Sequence, residues 1–338
     1  MTQEFEPKMG EPTRDEIRNP EGLSSVKLPL AKEKYETKDG QLLIRPEGFS
    51  DDVDPIIGAR TAERDQIAWS RENFFESAKI DPKRVVRIQQ KHTVNVREIT
   101  ADMAGSGALD QPNDDTRVKS EDGSGLDAAW TKEKDLTLMV GTADCAAIVV
   151  SGKDQDDRDV VGIVHAGIAG AQGDIVGNLI RDMITKGGVI PKSINVYSSP
   201  NICERCYPVL SDNPSDERDE KMPKVKATKI KEDGQEVTLE LTKLSASVLE
   251  FKKKYNNAFR TIHGRDLAEN DFYYVDRDDK DQLELHLNLN MFVYLPLIGN
   301  GVDPQNIGFS NICSAHDNLP SSRRAKETTG IFSTIRIK

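Results

Sequence analysis

One thiol and two imidazoles stand where apolar runs give way to polar or small residues. They are His92 in Gln90-Lys91-His92-Thr93, Cys145 in Gly141-Thr142-Ala143-Asp144-Cys145-Ala146, and His165 in Val164-His165-Ala166-Gly167. This donor set suits zinc with a fourth position left open. An open position is what a catalytic metal needs, because it lets a bound water act as a nucleophile near neutral pH. The same residues allow a metal-free alternative, with Cys145 as the nucleophile and His165 as the base that activates it. A single buried His or Cys is more often core packing. Three of them, each at the expected end of a strand, point to a site.

The elements that must position these residues are short and mostly apolar. Val85 to Ile88 is a β-branched run after Asp81-Pro82 and is expected to be the strand that delivers His92. Thr61 to Lys79, ahead of it, has helical spacing of Ile67, Ala68, Phe74, Phe75 and Ala78. Leu136–Val140 and Ala146–Val150 read as buried strands with Cys145 between them, and Val160–Val164 as a strand ending at His165. The stretch Gly170 to Val176 opens a helix carrying Ile175, Leu179, Ile180 and Met183, so His165 is expected at a strand-to-helix turn. Ile194–Tyr197, Ile307–Phe309 and Ile331–Ile337 read as further strands. Leu241–Tyr255 and part of Leu287–Ile298 read as helices, with Pro296 expected to disturb the end of the second.

The pattern predicts an α/β fold, with α+β as the alternative, in a single large domain. Residues 1–40 are charged and rich in Glu, Lys and Pro, and are expected to be a partly mobile extension to a domain spanning 41–338. Residues 101–125 and 211–237 read as polar insertions. With 46 Lys and Arg against 57 Asp and Glu, the formal charge of −11 argues against a nucleic-acid or membrane-surface binder. No run of about 18 apolar residues and no secretory pattern appears, so a cytoplasmic protein is expected. The four cysteines are then read as reduced thiols or metal ligands rather than disulfides. Cys203-x-x-Cys206 and Cys313-x-x-His316 form two pairs that could make a structural zinc site or a redox pair. Their wide separation favours ordinary core residues around Tyr207.

Several motifs in order resemble the laccase-domain, or polyphenol oxidoreductase, family, whose members are regarded as purine nucleoside phosphorylases. The residues that carry the resemblance are Gln90-Lys91-His92, Thr142-Ala143-Asp144-Cys145, His165-Ala166-Gly167, Ser199-Pro200-Asn201-Ile202-Cys203, Cys206-Tyr207-Pro208-Val209, Cys313-Ser314 and Ser321-Ser322-Arg323-Arg324. The resemblance implies a fold of layered mixed sheets flanked by helices, and that His92, Cys145 and His165 bind zinc and carry catalysis. It implies purine nucleoside and phosphate as substrates, with adenosine deamination or methylthioadenosine cleavage as further activities. Asp144 is either an orienting group beside Cys145 or a strand-end carboxylate bonded to backbone. The family's His-Ala-Gly-Trp-Arg-Gly is here His165-Ala166-Gly167-Ile168-Ala169-Gly170. An alanine cannot replace a guanidinium as a phosphate partner. Arg71, Arg323 and Arg324 are the candidate substitutes, against surface readings of a helix arginine and a solvated basic pair. The lost Trp-Arg pair also motivates a non-catalytic, nucleoside-binding alternative. Copper is the less favoured metal: multicopper sites need many imidazoles, often as His-x-His, and this chain has five His and no such pair.

Overall fold

In the computed structural model, which describes residues 26–38, 41–60, 71–108, 116–211, 228–230, 236–238, 242–277, 283–317, 319–322 and 330–338, two six-stranded mixed sheets dominate. The first is ordered β1 (Glu33–Lys38), β2 (Gln41–Pro46), β3 (Ile56–Arg60), β17 (Ile331–Ile335), β7 (Thr137–Thr142) and β4 (Val85–Arg87). The second is ordered β16 (Ile307–Phe309), β10 (Asn195–Ser198), β8 (Ala146–Lys153), β9 (Asp159–Ala166), β6 (Ala128–Thr131) and β5 (Val96–Glu98). A three-stranded sheet of β11 (Pro208–Ser211), β15 (Leu283–Leu287) and β14 (Tyr273–Arg277) stands apart, as does the pair β12 (Thr228–Ile230) and β13 (Glu236–Thr238).

Alternation along the strands decides what each face buries. In β7, Leu138 and Val140 face one core and Met139 another; in β2, Leu42 and Ile44 face one and Leu43 the other. In β8 and β9, Ala147, Val149, Val161 and Ile163 join the core that holds Leu138 and Val140, while Ile148, Val150, Val160 and Val164 face a third. The shared core is therefore the filling between the two sheets, a sandwich with apolar side chains from both inner faces.

Helices cover the two outer faces. On the first sheet, α1 (Arg71–Ala78) buries Phe74, Phe75 and Ala78. Gly58 of β3 makes room for it, since a Cβ there would lie 2.4 Å from the Phe74 ring. On the second sheet lie α2 (Ile168–Gln172), α3 (Ile175–Thr185), α4 (Thr242–His263) and α5 (Leu289–Gly299). The α3 residues Ile175, Val176, Leu179, Ile180 and Met183 form its buried face, and Trp130 of β6 donates from its indole to Asp182 at 2.8 Å. The layers run helix, sheet, sheet, helices, which is the α/β class. No described helix is long and apolar enough to cross a membrane.

Several expected boundaries move. His165 lies inside β9, not beyond its end, because Ala147 and Ala146 of β8 pair with His165 and Ala166. The helix expected from Gly170 is two helices, broken at Gly173 and at Asp174, whose φ of 67° is left-handed. Pro296 sits within α5, which continues to Gly299. Of the helix expected from Thr61, residues 71–78 are helical and 61–70 lie outside the described residues. Glu33 to Lys38 pair antiparallel with Pro46 to Gln41, on either side of residue 40. The 101–125 stretch is partly built in: Val118 bridges Ile88, and Ala108 is buried. Of 211–237, residues 212–227 and 231–235 lie outside the described residues.

Candidate metal centre and active site

Two crossings of the chain between the sheets, at one end of the sandwich, bring ligands. Residues 88–95 lead from β4 in the first sheet to β5 in the second and carry His92. Residues 143–145 lead from β7 to β8 and carry Cys145. His165 pairs with Ala147, two residues beyond Cys145, so Cys145 and His165 emerge on the same inner face. The ligand atoms of His92, Cys145 and His165 all lie within 4.8 Å of one another. Cys145 Sγ is 3.8 Å from His92 Nε2, and the two imidazole rings meet edge to face at 4.8 Å between centroids. His165 is 4% exposed while His92 is exposed, so the centre opens on the His92 side.

A fourth residue, not anticipated from the sequence, organises the two histidines. Asp127 is fully buried and accepts from His165 Nδ1 at 2.8 Å. It also accepts from the backbone N–H groups of Lys91 and Thr93 and from the Thr93 hydroxyl, at 2.6–3.2 Å. One carboxylate thus holds both neighbours of His92 and the back of His165. The His165 Nδ1 bond leaves Nε2 for the centre, an outer-shell arrangement that fixes both tautomer and ring orientation at metal sites. Asp127 ends the polar stretch and directly precedes the apolar strand Ala128–Thr131. A carboxylate entering a core strand needs a buried partner, and that position is the signal that points to it.

Further contacts lock the loops. The Gln90 side-chain amide donates to the Gly141 carbonyl at 2.7 Å and accepts from its N–H at 3.0 Å, which pins the His92 loop to β7. His92 has φ 58° and Asp144 φ 84°, so both turns that carry ligands use the left-handed region. Asp144 is buried, with Oδ1 accepting from Ser314 Oγ at 2.7 Å and its carbonyl from Ile202 N–H at 3.0 Å. Gly167 is required by close approach: a Cβ there would lie 2.3 Å from the His92 ring and 3.0 Å from Cys145 Sγ.

The electrostatics are those of an acid–base set. Burial opposes ionisation of the Cys145 thiol, but hydrogen bonds with His165 and His92 outweigh it and drive the thiol down. Burial favours a neutral His165, yet its bonds to Asp127 and Cys145 drive the imidazole up. Burial likewise raises Asp127, and the bonds from His165 and Thr93 prevail and hold it below the usual carboxylate range. The donor chemistry fits a divalent metal: a thiol driven toward thiolate, an imidazole backed by a carboxylate, a second imidazole, and space kept free by a glycine.

Arg71 heads α1 and donates from Nη1 to the Gly107 carbonyl at 3.2 Å. Arg323 and Arg324 lie outside the described residues. Ile168 begins α2, partly buried against the helical core, and Ala169 is exposed. His263 bonds Tyr294 Oη and His286 bonds the Glu204 carbonyl, so neither joins this centre.

A relative named purine nucleoside phosphorylase from Streptomyces coelicolor is 30% identical over 143 residues, 42% of this chain and 51% of the relative. The purine nucleoside phosphorylase YlmD of Geobacillus stearothermophilus is 28% identical over 44% of this chain and 50% of its own length. A protein named adenosine deaminase, from an unknown prokaryotic organism, is 31% identical over 85 residues, 25% of this chain and 31% of its own. In sequence, the chain spans about half the length of the purine nucleoside phosphorylases it matches. The crystal structure of YlmD from Geobacillus stearothermophilus superposes with a TM-score of 0.62 at 18% identity, covering 91% of this chain and all of that one, and so shares the fold. The family model described as multi-copper polyphenol oxidoreductase laccase matches residues 57–253, more than half of the chain. The chain belongs to this multi-copper polyphenol oxidoreductase laccase family.

Proposed function

We propose that this chain is a zinc-dependent purine nucleoside phosphorylase acting at His92, Cys145 and His165, with adenosine deamination or methylthioadenosine cleavage as further capacities. The observation that carries the reading is the convergence of these three ligands with Asp127 behind His165. Relatives named purine nucleoside phosphorylase and adenosine deaminase support the substrate class. Zinc held there would supply a Lewis acid and a water-derived nucleophile near neutral pH.

The chain's own residues do the rest. Asp127 fixes the imidazole of His165 and the backbone on both sides of His92, so the ligands are set before substrate arrives. Phosphorolysis needs positive charge for phosphate and a proton for the departing purine. Alanine at 169 supplies no charge, so phosphate binding is assigned to Arg323 or Arg324, with Arg71 as the third candidate. Asp144 is assigned a positioning role, through the turn that presents Cys145. The domain that carries this activity takes in the β1–β2 hairpin, so the extension ends ahead of Glu33.

The test is metal content by elemental mass spectrometry, with inosine and adenosine turnover measured with and without phosphate, on the wild type and Cys145→Ala. Phosphate-dependent base release that is lost in Cys145→Ala together with one metal ion per chain supports the reading. Turnover unaffected by Cys145→Ala overturns it.

A second reading has its own observation. Asp127, His165 and Cys145 form a hydrogen-bonded series in which the thiol is driven down and the imidazole up. That is the arrangement of a cysteine hydrolase or deamidase. Amide hydrolysis by chelated protein, with labelling of Cys145 by an electrophilic amide analogue, favours it over the first.

A further inference from the structure

The two Cys- and His-containing pairs, far apart in sequence, meet in space. The ligand atoms of Cys203, Cys206, Cys313 and His316 all lie within 4.8 Å of one another. Cys206 Sγ is 3.2 Å from His316 Nε2, Cys203 Sγ is 3.6 Å from His316 Nδ1, and Cys203 N–H donates to Cys313 Sγ at 3.3 Å. Each pair sits on a short turn that fans its side chains to one side. Cys203 caps the 3-10 turn Glu204–Cys206, and Cys313 opens a turn closed by Asp317, whose N–H donates to the Cys313 carbonyl and whose carboxylate accepts from the Cys313 N–H. The turns lie side by side because Asn201 bridges Cys313 and its carbonyl accepts from Ser314 N–H at 3.0 Å.

This arrangement does not suit core packing. His316 is exposed, and Cys203 and Cys206 are partly so. It does suit a tetrahedral ion: zinc–sulfur bonds of about 2.3 Å place neighbouring sulfurs roughly 3.8 Å apart. Three thiols and one imidazole complete the coordination with no position to spare, the mark of a structural rather than a catalytic site. Soft ligands in this geometry select zinc among common divalent ions.

We propose that Cys203, Cys206, Cys313 and His316 form a second, structural zinc site that clamps the turn presenting Cys145. Ile202, next to Cys203, donates its N–H to the Asp144 carbonyl, and Ser314, next to Cys313, donates its hydroxyl to the Asp144 carboxylate. Asp144 is held at φ 84° immediately before Cys145. An ion tying the two turns together therefore closes a frame around this left-handed residue. The site is independent of whether His92, Cys145 and His165 bind metal.

The test is zinc stoichiometry of the full-length protein as purified, in the wild type, Cys145→Ala, Cys206→Ser and His316→Ala, with zinc-edge X-ray absorption on Cys145→Ala. The expected result is one zinc retained in Cys145→Ala, with a first shell dominated by sulfur, and one fewer zinc than wild type in Cys206→Ser and in His316→Ala. If Cys206→Ser is insoluble, the exposed His316 and the Cys145→Ala spectrum carry the test. A Cys145→Ala protein with no zinc, a zinc shell without sulfur, or a Cys203–Cys206 disulfide in the purified protein overturns the site. The clamp is read by hydrogen exchange on Cys145→Ala before and after chelation. Faster exchange at the amides of Ile202 and Ser314 supports it, and unchanged exchange there overturns it.

Discussion

At the scale of single residues, Asp127 and Gly167 determine whether three ligands become one centre. Asp127→Asn keeps the shape but removes the charge that orients His165 and gathers the Lys91 and Thr93 amides. Outer-shell changes of this kind typically weaken metal binding about 10–100-fold. Competition with a chromophoric chelator should show that loss, and an unchanged affinity would remove Asp127 from the centre. Gly167→Ala places a methyl group 2.3 Å from the His92 ring, which must move. Misplacement on that scale costs roughly 10²-fold in turnover. Steady-state kinetics should find the loss, with a far-ultraviolet circular dichroism spectrum like that of the wild type. The three candidate ligands were legible in the sequence because each stands near the end of a recognisable run. Asp127 was not, because its partner His165 is 38 residues away.

At the scale of elements, the β8–β9 hairpin delivers Cys145 and His165 together, and its far end is held by Asp154. This carboxylate, 3% exposed, accepts from the N–H groups of Asp156 and Arg158, pairs with the Arg158 guanidinium at 2.8 Å and lies 3.5 Å from Lys132 Nζ. The Arg158 side chain, with these amides, holds the Asp154 carboxyl well below the usual range. Its native pKa is thus lower than its unfolded one. The stabilisation is present above the ordinary carboxylate pKa of about 3.9 and fades as pH falls below it. Urea denaturation should find Asp154→Ala less stable than wild type at neutral pH, with the gap narrowing toward pH 3. A gap that stays constant with pH would assign the role of Asp154 to packing instead of charge. Most strands on this route, from Val85 to Val164, could be read from β-branched runs. The break between α2 and α3 could not, since apolar spacing does not register a left-handed residue such as Asp174.

At the scale of the whole molecule, the centre lies at the rim of a sandwich whose filling comes from both sheets. Ile163 is fully exposed to that filling and fully hidden from solvent. Ile163→Ala should cost about 2–5 kcal/mol of stability by cavity formation. His165, two residues on, keeps its partner Asp127, so the metal content of the folded fraction should not change. Urea unfolding followed by metal analysis checks both halves, and metal loss without destabilisation would reverse the argument.

The sequence by itself determined the candidate ligand types, most of the strands around them, the α/β class and the uncharged pair Ile168 and Ala169 after His165-Ala166-Gly167. These depend on local pattern: alternation, β-branching and the order of motifs. The tertiary structure alone decided that β7 and β8, three residues apart in the chain, belong to different sheets. It also decided that Asp127 backs His165, and that Cys203 and Cys206 meet Cys313 and His316 more than 100 residues later. Such meetings are set by sheet register and by which sheet each strand joins. They are properties of the packed whole, which no window along the chain contains.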